Sequence, residues 1–528
     1  MRDRLRAAWG TVRSGIEVDW EWMARFWDED RATSAYDLDQ RTWDDLDLST
    51  VLANIDHTET SLGLWQFYRR VRSGDAWSDT PWLDSVASRC ESDPTLREEI
   101  GILLAAAGRP LGRGIEVLFR PDAIRDRWWY WFFPLLAGSM LTVIIATVFE
   151  PGALVLALPL VVLNMAARML TAWQVPGLLS PMRQLTPLIT LAERLHQMES
   201  ISLVSPVTVN EITALRPLRR IGGWVSRNPL TSNELLVSMQ EYLNLLFLLD
   251  ANALLFGARH LRAHHDLLRR TAEWIGGIDL ARGVASLRAE PRGWSIPAWQ
   301  TGRETTIIGA WHPLLPSPVR NDASWQAGRG LIITGANMSG KSTYLRTIGI
   351  AAVLARAINL CPAESWQGAP HRVRSLIGRS DDLLAGKSYY QVEAEGVVGM
   401  MAEVRDRQPT LFLLDELLRG TNTVERLAAG EAVLRELLAH PPEESSHAVL
   451  VATHDGELVQ LLADRYEPWH FQETITASGL HFDFRRHPGP ATTRTAIALL
   501  ASCGAPSAVI ERATIRAHEL DGHAPPIP

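Results

Sequence analysis

Apolar residues recur every three or four positions through most of the first 300 residues, a spacing that predicts amphipathic helices. We predict an acidic helical segment over 1–40, the first part of a helical core over 41–120, and a second part with a short lever region over 174–300. The His- and Arg-rich stretch 258–270 is typical of a solvated helix face, although it could also contact phosphates.

The stretch 121–173 interrupts this pattern and is the most apolar part of the chain. Residues 128–149 carry no charge, and neither do residues 151–167 after Glu150. A helix of 22 residues is about 33 Å long, enough to cross a hydrocarbon core of roughly 30 Å. Because Glu150-Pro151-Gly152 is a turn signal, we predict a transmembrane helical hairpin with both ends on one side of the bilayer.

The flanks of this stretch favour a membrane. Arg125, Arg127 and Arg168 lie near its ends, where cytoplasmic cations are expected, and the WWYW run 128–131 is typical of an aromatic belt at a membrane interface. The alternative is an apolar hairpin buried in a soluble core. We therefore predict a multi-pass protein of the cell membrane with two spans in the lipid bilayer and the bulk of the chain in the cytoplasm.

Charge and cysteine content limit the kinds of ligand that the chain is expected to bind. The formal net charge of −8 is concentrated in residues 1–120, which hold 15 Arg against 22 Asp and Glu. Bulk electrostatics therefore argue against nucleic-acid binding by that region, so a DNA contact would need a local basic patch. Three widely spaced cysteines argue against a zinc site or a disulfide framework. The first 22 residues lack the apolar segment of a signal peptide.

From 301 to 492, short apolar strands alternate with helices, which predicts an α/β domain. The strand 331–334 leads into a loop and helix that satisfy G-x-x-x-x-G-K-[ST]. In such a loop backbone N–H groups surround phosphate, Lys341 supplies a cation to the β and γ phosphates, and Ser342 can ligate Mg²⁺. Lysine occurs at only one other position, Lys387. We predict that ATP is bound by Gly335, Ala336, Asn337, Met338, Ser339, Gly340, Lys341, Ser342 and Thr343.

Two further strands end in polar residues that would complete this site. The strand 409–414 is followed by Asp415, a candidate Mg²⁺ ligand, and by Glu416, which could orient and deprotonate the attacking water. The strand 448–453 leads into His454, which would lie near the γ-phosphate because ligands sit at the carboxyl ends of such strands. The catalytic candidates are therefore Glu416, His454 and Lys341.

Six motifs, in order along the chain, resemble those of the MutS family. AWHPLL at 310–315 is similar to that family's strand before the P-loop, TGANMSGKSTYLR at 334–346 to its Walker A motif, and SDDLLAGKSYYQVEAE at 380–395 to its signature loop. LLDELLRGTNT at 413–423 is similar to its Walker B motif with the D-loop, ATHD at 452–455 to its histidine switch, and TRTAIALLASCGAPSAVIERA at 493–513 to its C-terminal dimerisation segment.

The resemblance implies a MutS-type P-loop ATPase domain over 301–492, a helical dimerisation segment over 493–520 and a flexible tail over 521–528. It further implies that His312 contacts the nucleotide. The protein would be an Mg²⁺-dependent ATPase acting as a homodimer, in which Ser388 reaches the γ-phosphate bound by the partner.

Upstream, residues 47–74 resemble the start of the MutS core, with Asp56, Thr58, Thr60 and Gly63 in register, and residues 274–291 resemble its end. The expected fold class is thus an α/β P-loop NTPase domain after an all-α, MutS-core-like half that the hairpin interrupts. No counterpart of the mismatch-reading domain is seen, and 174–274 offers little room for long lever helices.

Two functions follow as expectations. The first is a membrane-anchored, DNA-binding dimeric ATPase related to mismatch repair or recombination. The alternative is a membrane-bound, ATP-driven switch that acts on a protein assembly and has no DNA substrate. An ABC transporter subunit is disfavoured, because no LSGGQ-like signature is present and two spans are too few for a translocation path.

Overall fold

The structure is a computed structural model of the chain. It describes residues 1–13, 15–30, 37–73, 80–120, 128–174, 178–225, 234–300, 302–336, 338–378, 389–405, 408–418, 422–439, 447–476, 479–491, 497, 500–501 and 504–522.

Helices make up the chain as far as Arg288, as the 3.6-residue spacing of apolar positions predicts. The α-helices are α1 Arg2–Ala8, α2 Trp20–Asp30, α3 Gln40–Asp45, α4 Leu48–Ile55, α5 Ser61–Arg72, α6 Thr80–Ser92, α7 Pro94–Ala107, α8 Phe132–Phe149, α9 Ala157–Gln174, α10 Leu179–His196, α11 Glu199–Ser202, α12 Val209–Ala214, α13 Arg216–Val225, α14 Glu234–Phe247 and α15 Leu249–Arg288. Short 3₁₀ helices span Ile115–Phe119, Trp128–Trp131 and Pro151–Leu156.

The centre of this helical core is organised around Asp279 on α15. Its carboxylate accepts hydrogen bonds from the backbone N–H groups of Glu59 and Thr60 and from Thr60 Oγ1, the last at 2.6 Å. Thr60 Oγ1 in turn accepts from Gly63 N and so caps α5. A side chain at position 63 would lie 2.4 Å from Asp279 Oδ2, so the close approach requires glycine. Burial raises the pKa of Asp279 to about 6, although these hydrogen bonds lower it.

The apolar stretch forms a helical hairpin, with α8 packed against α9. The helical segments Trp128–Phe149 and Pro151–Leu170 are each long and apolar enough to cross a membrane, and 17% and 11% of them is buried inside the protein. Large apolar side chains such as Val148 and Phe149 are exposed around the turn. Two helices of membrane-spanning length and composition are therefore present.

Helix α15 is kinked at His264, whose φ of −131° is not helical, so its 40 residues form two helical segments in succession. At Leu248, whose φ is +52°, the chain bends by 66° between α14 and α15.

The helical core joins the C-terminal domain through α5. The buried guanidinium of Arg70 donates a 2.6 Å hydrogen bond from Nε to the carbonyl oxygen of Ala357, in the last turn of α16, Lys341–Ile358. A cation at a helix C-terminus satisfies an otherwise unpaired carbonyl and opposes the helix dipole. The helix that begins at Lys341 is thus held at its far end by the core.

The C-terminal domain is α/β, as predicted. Its strands are β1 Ala298–Trp299, β2 Glu304–Ala310, β3 Asn321–Gln326, β4 Gly330–Thr334, β5 Ser365–Gly368, β6 Arg372–Leu376, β7 Thr410–Asp415, β8 Ala448–Ala452, β9 Tyr466–Thr476 and β10 Gly479–Pro488. Its helices, besides α16, are α17 Tyr389–Glu403, α18 Thr423–Glu436, α19 Gly456–Leu461 and α20 Ser507–Gly522.

Two sheets build this domain. The larger has the order β10-β9-β4-β8-β7-β6, with β9, β4, β8, β7 and β6 parallel and β10 antiparallel to β9. The smaller has the order β1-β5-β2-β3. Strands β4, β7 and β8 are almost wholly buried and lie in the middle of the larger sheet, so their carboxyl ends meet at one edge. The parallel arrangement therefore brings the three predicted motifs together.

The motif AWHPLL was expected to be a strand, and this is wrong beyond its first residue. Strand β2 ends at Ala310, and residues 311–320 form a loop before β3. Pro313, Pro316 and Pro318 have no N–H group to donate to a ladder, so the strand cannot continue. The loop instead carries His312 over the carboxyl edge of the large sheet.

Candidate active site

The Gly-rich loop follows the central strand β4 directly. Gly335 and Gly340 have φ of +138° and +107°, values that side chains rarely adopt, and a Cβ at Gly335 would lie 2.8 Å from the carbonyl oxygen of Phe471. Lys341 Nζ donates to the carbonyl oxygens of Gly335 and Ala336, both at 2.8 Å. The ammonium is thus folded back over the loop it follows.

Lys341 is almost fully buried at this edge. Burial lowers its pKa, while the carboxylates of Asp415 and Glu473 act in the opposite direction. Asn337, predicted to be part of the loop, lies outside the described residues. The remaining loop positions, Ala336, Met338 and Ser339, occupy the turn between β4 and α16.

Ser342 and Asp415 form the oxygen pair expected of an Mg²⁺ site. Ser342 Oγ donates to Asp415 Oδ2 at 2.5 Å, and Asp415 ends β7 level with Ala452 of β8. Within the described ranges, no group of three or more His, Cys, Asp or Glu side chains could hold a metal by itself. Two protein oxygens suit Mg²⁺, which takes one or two protein ligands and completes its shell with phosphate and water.

Glu416 is placed by an unusual backbone conformation. Its φ is +56°, and its N–H donates to the carbonyl oxygen of Ala452 at 2.9 Å. The left-handed turn directs the chain away from β7 just after Asp415, and the side chain lines the same cavity as Lys341. Such strain in a non-glycine residue is typical of functional sites.

His454 follows β8 and lies beside Glu416. Its Nδ1 is 3.4 Å from Glu416 Oε1, and its side chain is about half exposed at 47%. The turn that carries it is fixed on both sides, since Thr453 N donates to Ile333 O and Arg426 donates to Asp455 at 2.8 Å. The ends of β4, β7 and β8 thus bring together Lys341, Ser342, Asp415, Glu416 and His454.

A cavity of about 660 Å³ opens over this edge, within the range of small-molecule sites. His312 forms part of its wall, and Leu314 N donates to His312 Nδ1 at 3.3 Å, which leaves the ring proton on Nε2. Burial, together with the nearby positive charge of Arg346, lowers the pKa of His312 to about 4. The imidazole is therefore neutral at pH 7 and can contact a ligand without carrying charge.

Several cavity residues were missed in the sequence. Phe471 and Phe484 come from β9 and β10, and Phe484 has a φ of +54° within a bulge of β10. Asn321 on β3 holds this bulge, donating from Nδ2 to Phe484 O and accepting from Arg486 N, both at 2.9 Å. These contacts join positions more than 160 residues apart, so no local pattern indicates them.

Ser388 lies outside the described residues, but the strand end that leads towards it is described. Asp45, the last residue of α3, accepts from Ser375 Oγ at 2.7 Å, Ile377 N at 2.8 Å and Gly378 N at 2.7 Å. On the far side of the gap, Arg41 of the same helix donates to Val392 O at 3.1 Å. A six-residue helix of the core therefore contacts the chain just before the signature motif and again within the second half of that motif.

A parallel sheet whose central strand leads into a Gly-rich loop, with Lys341, Asp415 and Glu416 at one cavity, defines the class of P-loop nucleotide-binding domains. Residues 331–521 match the family model described as MutS domain V. This part of the chain is therefore similar to MutS domain V.

Relatives named DNA mismatch repair protein MutS share this region. The protein of Synechococcus sp. (strain CC9902) is 33% identical over 256 residues, 47% of this chain and 28% of that protein. That of Chloroflexus aurantiacus (strain ATCC 29366 / DSM 635 / J-10-fl) is 29% identical over 276 residues, or 50% and 28%. That of Roseiflexus castenholzii (strain DSM 13941 / HLO8) is 31% identical over 270 residues, or 49% and 24%. The chain thus matches less than a third of the length of these relatives.

Proposed function

We propose that this protein is an Mg²⁺-dependent ATPase that works as a homodimer and is anchored in a membrane by its apolar hairpin. The observation that carries the enzymatic part is the convergence of Lys341, Ser342, Asp415 and Glu416 on one cavity of nucleotide size. ATP and Mg²⁺ are the ligands that this set of one cation and several oxygens fits best.

The residues at the cavity would have different roles in ATP hydrolysis. Lys341 and the loop N–H groups would hold the β and γ phosphates, while Ser342 and Asp415 would hold Mg²⁺, which supplies charge neutralisation. Glu416 would orient a water molecule and accept its proton as the water oxygen bonds to the γ-phosphorus and the bond to ADP breaks. His454, 3.4 Å from Glu416, would position that carboxylate and contact the γ-phosphate.

Substitution of Glu416 tests this mechanism. We expect Glu416→Gln to bind ATP like the parent protein and to hydrolyse it at least ~100-fold more slowly, within the usual range for loss of a general base. Lys341→Ala should weaken binding itself. The exposed Glu457 on nearby α19 provides the matched control Glu457→Gln, which should leave both properties unchanged. Undiminished turnover by Glu416→Gln would contradict the assignment.

Dimeric action is proposed from the signature motif and from the C-terminal helix α20, which exposes Val509 and Ile515. If Ser388 acts on the nucleotide of the partner, Ser388→Ala and Lys341→Ala chains should each be inactive alone. Mixed in equal amounts, they should recover roughly a quarter of the parent activity, because half of the dimers are mixed and each has one intact composite site. No recovery, with mixed dimers demonstrated by pull-down, would refute action in trans.

The membrane anchor is proposed from the length and exposure of the hairpin. Fractionation of the intact chain beside a version lacking residues 128–170 tests it. The intact chain should sediment with membranes after alkaline extraction, and the deletion variant should be released. Retention of both, or release of both, would contradict an anchor made by this hairpin.

We propose DNA as the ligand of the helical core, because the chain is similar to DNA mismatch repair proteins. Duplex DNA should then stimulate ATP hydrolysis, with binding that weakens steeply as salt rises. The second candidate is an ATP-driven switch on a membrane protein assembly, and the exposed apolar hairpin favours it. Hydrolysis that is indifferent to DNA at low salt would favour the switch.

A further inference from the structure

Among the side chains of helix α14 that the structure describes, the most exposed are apolar and the buried one is polar. Met239, Tyr242 and Leu243 lie three and four positions apart, hence on one face, and are 50%, 67% and 40% exposed. On the opposite face, Glu241 and Asn244 point towards the protein, and Asn244 is buried. A helix at the surface of a water-soluble domain shows the reverse arrangement.

The inward polar groups pair with the hairpin. Glu241 accepts a 3.1 Å hydrogen bond from Arg168 of α9, and one turn deeper Asn164 Nδ2 donates to Leu246 O at 2.8 Å. Asn164 is completely buried, although it belongs to the second of the two apolar helices. The opposite face of α9 is apolar and exposed, at positions Val162, Met165 and Met169. On both α9 and α14, the described apolar side chains are therefore exposed, whereas polar side chains face the protein.

Several polar groups of the corner after α14 pair with one another, although the buried Asn252 Oδ1 has no hydrogen-bond partner among the described residues. Asn244 Nδ2 donates to Asp250 Oδ2 at 2.6 Å, and Asp250 N donates back to Asn244 Oδ1 at 3.0 Å. Asn252 Nδ2 donates to Phe247 O at 3.0 Å. Internal pairing of this kind is what a medium without water demands of polar groups. In water, the same side chains could have been left to the solvent.

We propose that α14 and the start of α15 form a third membrane-embedded element, a re-entrant corner that packs on the hairpin and exposes Met239, Tyr242 and Leu243 to lipid acyl chains. With 14 residues, α14 is about 21 Å long, too short for a hydrocarbon core of roughly 30 Å, so it enters the bilayer without crossing it. The 66° bend at Leu248 makes α14 and α15 a corner and not one straight span, and the charged and polar residues of α15 that follow the corner would lie outside the acyl chains. This inference rests on the proposed membrane anchor.

Depth-sensitive fluorescence quenching tests the proposal in the full-length protein. The three native cysteines are replaced by alanine, ATP binding is checked, and one bimane-labelled cysteine is placed at Val148, Tyr242 or Leu203. Val148 reports on the hairpin and Leu203, exposed in the helical core, is the aqueous control. The protein is reconstituted in phosphatidylcholine vesicles containing doxyl-labelled lipid, and aqueous iodide is the opposing quencher.

We expect doxyl lipid to quench positions 148 and 242 to a similar extent, at least ~3-fold more than position 203, and iodide to show the reverse order. Quenching by lipid at 148 with quenching by iodide at 242 would overturn the re-entrant corner and leave the hairpin anchor intact. Access of iodide to both would overturn the anchor as well. Protection of 242 from both quenchers would show that a second protein copy covers the face, and would also overturn the proposal.

A second measurement needs no cysteine-free chain. Leu243→Asp would place a carboxylate in acyl chains and should lower the unfolding temperature in vesicles by several degrees, whereas Leu203→Asp, at a site 74% exposed to water, should not. Equal, small effects of the two substitutions would contradict a lipid environment at position 243.

Discussion

Asp45 provides the most direct test of how the helical core controls the ATPase domain. Its carboxylate accepts three hydrogen bonds from the end of β6 and the residues after it, from Ser375 Oγ, Ile377 N and Gly378 N. In Asp45→Asn the amide NH₂ group faces at least one of these donors and cannot accept from it. The buried N–H group then loses its carboxylate partner.

The size of the effect follows from the loss of one charge-assisted bond and the weakening of two others. A hydrogen bond to a charged group contributes about 1.5–3 kcal/mol, so we expect local opening at Ile377 and Gly378 to become easier by roughly 2 kcal/mol. At about 1.4 kcal/mol per factor of ten, amide hydrogen exchange at these two positions should accelerate ~30-fold. Exposed Asp44, on the same helix, gives the matched control Asp44→Asn.

The functional readout separates positioning from general stability. Because Asp45 contacts neither Lys341 nor the cavity, ATP binding should stay within about twofold of the parent. If the protein hydrolyses ATP as the proposed dimer, hydrolysis should fall ~10-fold or more, since the segment that carries Ser388 follows Gly378. Accelerated exchange with undiminished hydrolysis would refute the reasoning, and would reduce Asp45 to a purely structural anchor.

Three further predictions concern the core and the cavity. Because the pKa of Asp279 is raised to about 6, the folded state binds this proton more tightly than the unfolded state does. The free energy of unfolding should therefore fall as the pH rises from ~4 to ~6, by an amount on the order of 3 kcal/mol. Urea midpoints measured across this pH range should show the fall in the parent protein and not in Asp279→Asn. Ser342→Ala should raise the Mg²⁺ concentration needed for half-maximal hydrolysis ~10-fold, with Mg²⁺-free nucleotide binding unchanged in calorimetry. Phe484→Ala should raise KM for ATP more than it lowers kcat, whereas Phe482→Ala on the same strand should alter neither, and equal effects in steady-state kinetics would contradict a cavity-wall role for Phe484.

The active-site strands could be predicted because each motif is local. A buried strand, a Gly-rich loop and a helix start occupy consecutive residues, and parallel pairing then fixes where Asp415 and His454 must lie. The contacts of Asp45 could not be predicted in this way, since they join residues 330 or more positions apart and depend on how α3 docks. The trans role of Ser388 and the domain boundaries derived from the resemblance stay predictions.

The third apolar element escaped sequence analysis for a physical reason. Glu241, Asn244 and Asp250 break the apolar run, so 234–258 resembles an ordinary amphipathic helix whose polar side would face water. The side that faces the protein is indicated by the contacts of Glu241 with Arg168 and of Leu246 O with Asn164, which join residues 73 and 82 positions apart. Periodicity shows that a helix has an apolar face and a polar face, but which of the two faces the protein depends on the surroundings of the helix.

Helix α15 connects the apolar hairpin with the helices that contact the C-terminal domain. It starts at the corner beside the hairpin, includes Asp279, and packs on α5. Arg70 of α5 donates a hydrogen bond to the last turn of α16. Because α15 is kinked at His264, a tilt of its first segment can be absorbed at that residue before it reaches α5 and α16. If the hairpin lies in a bilayer as proposed, the stiffness of this kink would determine how strongly a change in membrane thickness affects the residues around Lys341.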